Sequence, residues 1–173
     1  MRNNKVRDIS MSAMFIAVSV IICIVASVFP TMTLSIAAMA GIVTAIAVIN
    51  LGYKYACLVY FATSVLLWLM VPDKQCALYY SVLFGHYPIL KLFTERIGKK
   101  LLVCIVKAAE INILFVIVYF MLCFISGMEC IPFFWEILFY WIVFNLLFFL
   151  YDICIGRISF MYIARISKNN RFH

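Results

Sequence analysis

Few residues of this chain could do acid or base chemistry. Of the two histidines, His173 is a tail residue, which leaves His86 as the one placed for such work. Glu110 and Asp152 are expected in the same half of the predicted bundle as His86 and could approach it. The favoured interpretation is nevertheless a histidine that is hydrogen-bonded to a neighbouring helix. The sequence contains neither GxSxG nor HExxH. We therefore predict that the protein is not an enzyme.

A second group of polar and aromatic side chains indicates ligand binding. Glu136 is the strongest candidate among them, because a carboxylate in an apolar run should face other helices, where it could bind a cationic group. Tyr140 follows four residues later on the same helical face and could stack on a ring or a cation. The predicted substrate-binding residues are Glu136, Tyr140, Trp135, Tyr79, Tyr80 and Asn145. The alternative is that the aromatics anchor the membrane interface and that Glu136 snorkels to it.

Metal, cofactor and nucleic-acid binding are not indicated. The 7 cysteines form no CxxC pair and no metal spacing with histidine, although Cys76, Cys123 and Cys130 could include an oxidised pair. A GxxxxGK[ST] phosphate loop is absent. The net charge of +7 is spread over several connections, which favours contact with anionic lipid headgroups over nucleic acid. We predict membrane lipid as a partner, no metal and no cofactor.

These residues must be positioned by membrane-spanning helices. The chain is 68% hydrophobic and 12% charged, more apolar than a soluble domain of 173 residues. Its long apolar runs are near the roughly 20 residues that a helix needs to cross a bilayer. They predict one all-α membrane domain of six transmembrane helices, at about 9–29, 32–49, 55–71, 76–92, 104–125 and 131–152. A helical tail over 153–167 is predicted to be interfacial or cytoplasmic.

The distribution of basic residues predicts the orientation of these spans. With six crossings, every lysine and arginine except Lys74 falls on one side. Because basic flanks stay in the cytoplasm, both termini are predicted inside, in a multi-pass protein of the cell membrane. The outer halves of the spans then hold Glu136 and the aromatic group.

Three local expectations concern the ends of the spans. Pro88 cannot donate a backbone hydrogen bond and should bend the inner end of the fourth span. Lys107 and Glu110, three residues apart, should form a local pair at the inner interface. Asp73 and Lys74 in an outer connection should be solvated.

Small residues recur on one face of each of the first two spans. Ala13 and Ala17 are four residues apart in the first, and Ala37, Gly41 and Ala45 repeat this spacing in the second. Such faces let helices approach closely within lipid. The spacing alone leaves two interpretations open, which are internal packing and docking to another membrane protein.

The chain resembles the S components of energy-coupling factor (ECF) transporters. It is similar to them in length and six-span layout, and Ala13 and Ala17 match the family's alanine-x-x-x-alanine signature for docking to the coupling subunit. Further shared elements are a proline-containing outer connection and a small-residue second span, marked here by Phe29, Pro30, Gly52 and Lys54.

The resemblance implies a mechanism for the protein. The outer half would capture a vitamin or similar micronutrient, and a coupling subunit with two cytoplasmic ATPases would then topple the protein to release the solute inside. Ala13 and Ala17 would be the partner-docking residues. No recognised signature names the solute. The alternative is an MreD-like membrane scaffold of cell-wall assembly, which would have partner surfaces and no small-molecule ligand.

Overall fold

The computed structural model is all-helical over the residues it describes, which are 2–94, 100–126 and 134–169. Side chains are described for 5–29, 31–94, 102–125 and 135–165. The α-helices are α1 Arg2–Ala26, α2 Thr33–Leu51, α3 Tyr53–Met70, α4 Lys74–Leu78, α5 Tyr87–Thr94, α6 Lys100–Ser126 and α7 Phe134–Asn169. A 3₁₀ turn, Pro30–Met32, precedes α2, and a π-helical segment, Tyr79–Phe84, joins α4 to the turn before α5.

Five of these helices, α1, α2, α3, α6 and α7, are long and apolar enough to cross a membrane. Helices suit that environment because every backbone group inside hydrocarbon must find its hydrogen-bond partner within the protein. The predictions of an all-helical fold and of a multi-pass membrane protein are thus confirmed in this coarser form. The remaining expected span, the fourth in chain order, is not one continuous helix.

The fourth apolar run, 76–92, is divided among three short elements. The π-helical segment closes with a hydrogen bond of 2.7 Å from the Gly85 N–H to the Tyr80 carbonyl, five residues back. Residues 85 and 86 form a turn, after which α5 begins. The interruption lies ahead of Pro88, where a bend was expected: the irregular backbone begins at Tyr79, and Pro88 is in the first turn of α5, where proline is tolerated.

Short connections join the first helices. Gly52 alone separates α2 from α3, with a φ of +78° that favours glycine, and its N–H donates to Val48 O at 3.1 Å. After α3, Lys74 Nζ donates to the carbonyls of Trp68 (2.7 Å) and Val71 (3.1 Å). Lys74 therefore caps the carboxyl end of α3. Asp73 accepts from the Gln75 N–H at the start of α4, so both residues are bound rather than simply solvated.

The core lies between α1, α2, α3 and the segment from α4 to α5. The small face of α2 is buried there, with Ala37, Gly41 and Ala45 all facing inward. Internal packing is therefore the correct interpretation of the small residues in the second span. Helices α6 and α7 lie at the edge of the bundle, with only 11% of their most apolar windows buried.

Helix α7 runs for 36 residues without a break at Asp152 or Gly156. At 1.5 Å per residue it is about 54 Å long, against roughly 30 Å of hydrocarbon in a bilayer. The predicted tail, 153–167, is thus a direct continuation of the last span. A hydrogen bond of 2.9 Å from Asn50 Nδ2 to Tyr162 Oη holds this extension against the end of α2.

Candidate functional site: an apolar cavity and a charged cluster

A cavity of about 350 Å³ lies between α2, the π-helical segment, α6 and α7. Its walls come from the start of α2, from the π-helical segment, from the second half of α6 and from the first half of α7. The lining residues are Leu34, Tyr79, Leu83, Phe115, Val118, Tyr119, Leu122, Cys123, Tyr140, Val143, Phe144 and Leu147. This volume lies within the usual range of small-molecule sites in proteins.

The cavity is lined by aliphatic and aromatic groups, and no charged side chain is among the lining residues named above. The ring of Phe115 stacks on Tyr119 (6.3 Å between centroids, 25° between planes) and meets Phe144 edge to face at 5.3 Å. The surface of the cavity is almost entirely apolar. The site can therefore enclose an apolar ring and make stacked or edge-to-face contacts with it.

Two of the predicted substrate-binding residues, Tyr79 and Tyr140, line this cavity. Tyr79 is half-buried at the start of the π-helical segment, and Tyr140 is 60% exposed on α7. The sequence did not point to Phe115 and Phe144, whose only signal was their aromatic type within apolar runs.

Tyr80 belongs to the core instead. Its side chain is fully buried, and its hydroxyl lies 2.9 Å from Thr44 Oγ1 on α2. Adjacent residues of a helix point in different directions, so Tyr79 and Tyr80 could not both face the cavity.

The remaining three predicted residues lie outside the cavity lining. Trp135 and Glu136 are exposed at the start of α7, and Asn145 Nδ2 donates to the Trp141 carbonyl of its own helix at 2.9 Å. Glu136 was expected to face other helices. It is in the first turn of α7, where the helix dipole stabilises a carboxylate without help from a neighbouring helix.

A cluster of charged residues lies in the other half of the bundle. Asp152 on α7 accepts from Lys107 Nζ (2.8 Å) on α6, and from Lys91 Nζ and Tyr87 Oη (2.5 Å each) on α5. Lys91 Nζ also donates to the Asp152 carbonyl at 2.8 Å. We call these four residues the Asp152 cluster. It joins three helices in a setting where unpaired charge is costly.

Glu110 does not take Lys107 as its ion-pair partner, contrary to the expected local pair. Glu110 Oε1 lies 3.7 Å from His86 Nε2, which is too long for a hydrogen bond, and within the described residues it has no hydrogen-bond partner. Lys107 is bound to Asp152 because their side chains meet across two helices, a contact that spacing along one helix does not reveal.

The carbonyl groups that the irregular fourth run leaves without helical partners are bound by tyrosines. Pro88 has no N–H for the Phe84 carbonyl four residues earlier, and Tyr151 Oη donates to that oxygen at 3.3 Å. Tyr60 Oη likewise donates to the Ser81 carbonyl at 2.9 Å. Both bonds satisfy backbone groups that would be expensive to leave unpaired in a membrane.

Ala13 and Ala17 lie on the outward face of α1. Both are exposed, whereas Ser12, Phe15 and Ser19 on the other face are buried in the bundle. The small-residue faces of the first two spans therefore differ, since that of α2 packs inside and that of α1 is open to lipid or to a partner.

The described residues contain no group of three or more His, Cys, Asp or Glu that could hold a metal ion. Cys76 and Cys123 are free thiols; Cys76 Sγ lies 3.9 Å from the Cys23 carbonyl, and Cys130 lies outside the described residues. Neither a protein-family profile, nor a curated protein, nor a solved structure matches this chain.

Proposed function

We propose that this protein is the substrate-binding S component of an ECF-type uptake transporter. It captures a vitamin or similar micronutrient from outside the cell and delivers it together with a coupling subunit and cytoplasmic ATPases. The observation that carries this proposal is the cavity of about 350 Å³ walled by Tyr79, Tyr140 and the rings of α6. A scaffold protein without a ligand would have no need for it.

The charge distribution supports the direction of transport. Lys91, Lys107 and Arg157 belong to the basic half of the bundle, which under the positive-inside rule faces the cytoplasm. The cavity lies in the other half, since its lining comes from the start of α2, the second half of α6 and the first half of α7. A solute arriving from outside would thus meet the cavity before the Asp152 cluster.

The exposed face of α1 supports a partner in the membrane. Ala13 and Ala17 leave a flat strip within the half of α1 that also carries Arg7, and small side chains let a second helix approach closely. This is where the coupling subunit would dock.

The proposal is tested by purifying the tagged full chain from its native membranes. We expect a membrane coupling subunit and two ATPases to co-purify, and one small solute to raise the thermal unfolding midpoint of the isolated chain. Co-purification of cell-wall assembly proteins, together with the failure of every solute to stabilise the chain, would instead support the scaffold alternative. A chain that brings down neither partner set and gains no stability from any solute would overturn the proposed function.

A further inference from the structure

We infer that the solute held in this cavity is an uncharged molecule built on a planar aromatic ring, an inference that rests on the proposed function. It departs from the expectation of a cationic ligand at Glu136. That carboxylate is exposed on the first turn of α7 and does not line the cavity.

The charge of the solute follows from the cavity walls. Transferring an ion from water into apolar surroundings costs several kcal/mol or more unless a counter-charge or several hydrogen bonds receive it. Among the described residues, those that line the cavity contribute aliphatic chains, aromatic rings and one thiol, and none of them is a lysine, an arginine, a histidine or a carboxylate. The Asp152 cluster does not serve as a counter-charge, because its carboxylate already binds Lys91 and Lys107 and none of its members lines the cavity.

The shape of the solute follows from the arrangement of the rings. Phe115 is stacked with Tyr119 and meets Phe144 edge to face, so the wall formed by α6 and α7 presents both ring faces and ring edges. Flat aromatic molecules make offset-stacked and edge-to-face contacts with such a wall.

A lipid acyl chain is the competing occupant of any apolar cavity in a membrane protein. Against this wall an acyl chain gains only what any apolar group gains, whereas a flat aromatic ring also gains stacked and edge-to-face contacts with Phe115 and Phe144. The rings of the wall thus favour a flat aromatic solute over a hydrocarbon chain.

The experiment uses the full chain in phosphatidylcholine nanodiscs and pairs of probes matched in ring and differing in charge. The pairs are nicotinamide with nicotinate, pyridoxine with pyridoxine phosphate, and riboflavin with riboflavin 5′-phosphate. Binding is followed by protection of Cys123, which lines the cavity, from N-ethylmaleimide, read peptide by peptide in a mass spectrometer. Cys104, an exposed thiol of the same helix, is the internal control.

We expect the neutral member of at least one pair to protect Cys123 at a concentration at least tenfold lower than its charged partner, with Cys104 unaffected. Leu147→Trp, which fills the cavity, should abolish the protection. Leu146→Trp is the matched control, since Leu146 is the preceding residue, is exposed and is not among the residues that line the cavity.

Four outcomes would overturn the inference. The first is equal protection by the charged partners, which would leave the proposed function standing. The second is that none of the probes protects Cys123, and the third is that protection survives Leu147→Trp. The fourth is a Cys123 that is unreactive before any probe is added and becomes reactive on delipidation, which would identify an acyl chain as the occupant. Co-purification with a coupling subunit and ATPases is independent of all four, so failure of the proposed function is recognised separately.

Discussion

Lys107 Nζ lies 2.8 Å from Asp152 Oδ2, and this contact ties α6 to α7 in the basic half of the bundle. The other carboxylate oxygen of Asp152 binds Lys91 Nζ and Tyr87 Oη on α5. Asp152 therefore holds together three helices that otherwise share little buried surface, since α6 and α7 lie at the edge of the bundle. A single carboxylate here neutralises one of two lysine charges and orients both.

Asp152→Asn should strongly destabilise the fold. The substitution removes the carboxylate that binds two mostly buried lysines, and breaking such a pair costs about 3 to 5 kcal/mol. We expect a clear drop in the thermal unfolding midpoint of the detergent-solubilised protein. Asp8→Asn is the matched control, because Asp8 pairs with the exposed Arg7 at 3.9 Å and its substitution should change the midpoint little. Equal effects of the two substitutions would contradict the structural role of the Asp152 cluster.

Lys107→Met should cost less than Asp152→Asn, because the carboxylate keeps Lys91 as a partner. The double variant Asp152→Asn, Lys107→Met should be less destabilised than the sum of the two single variants, by about 1 kcal/mol or more. The reason is that removing Lys107 takes away a buried charge that Asp152→Asn deprives of its carboxylate. Unfolding of all four proteins under one set of conditions measures this coupling. Strict additivity would show that the two side chains do not interact.

Gly41→Ala tests the close packing of α2 against the irregular fourth run. A Cβ at Gly41 would lie 2.7 Å from Phe84 O and 2.8 Å from Phe84 Cβ, and would also strike the Tyr151 hydroxyl that binds this carbonyl. Overpacking of this kind costs roughly 1 to 3 kcal/mol. At Gly156 the nearest atom is Lys91 Nζ at 3.4 Å, so Gly156→Ala should be neutral or slightly stabilising. A tolerated Gly41→Ala together with a damaging Gly156→Ala would contradict this packing.

Glu136→Gln should leave solute affinity unchanged, because Glu136 is exposed and does not line the cavity. Tyr140→Ala removes an aromatic ring from the cavity wall and should weaken binding by roughly threefold to tenfold, the contribution of one aromatic contact. Titration of whichever solute stabilises the wild-type protein measures both. The opposite order of effects would restore Glu136 to the site and with it a cationic ligand.

The sequence predicted what depends on local pattern and missed what depends on contacts between helices. Apolar runs of spanning length are a strong signal, and five of them form the long helices α1, α2, α3, α6 and α7. The fourth run contains Gly85, His86 and Pro88 near its inner end, and Tyr79–Phe84 within it is π-helical, with tyrosines of α3 and α7 bound to carbonyls of this stretch. Hydropathy contains no information about those partners.

The candidate site shows the same division. The type and depth of Tyr79 and Tyr140 sufficed to predict two cavity residues, but the direction of Tyr80 depends on its hydrogen bond to Thr44. For Lys107, spacing indicated Glu110, and only the packing of α6 on α7 reveals Asp152. Placement within a span can be predicted from sequence, whereas the face of a helix that meets a neighbour follows from the tertiary structure.

Ala13→Trp and Ala17→Trp should abolish docking of the proposed coupling subunit while the isolated chain still folds. Both alanines are exposed on α1, so added bulk meets no side chain of the bundle, but it would prevent a partner helix from approaching closely. Ala109→Trp is the matched control for bulk at an exposed alanine, because Ala109 is exposed on α6. Ala37→Trp marks the opposite case, since Ala37 is fully buried and should unfold the protein. Partner capture and the unfolding midpoint are measured on each variant. Unfolding caused by the α1 substitutions would instead mean that this face packs within the bundle.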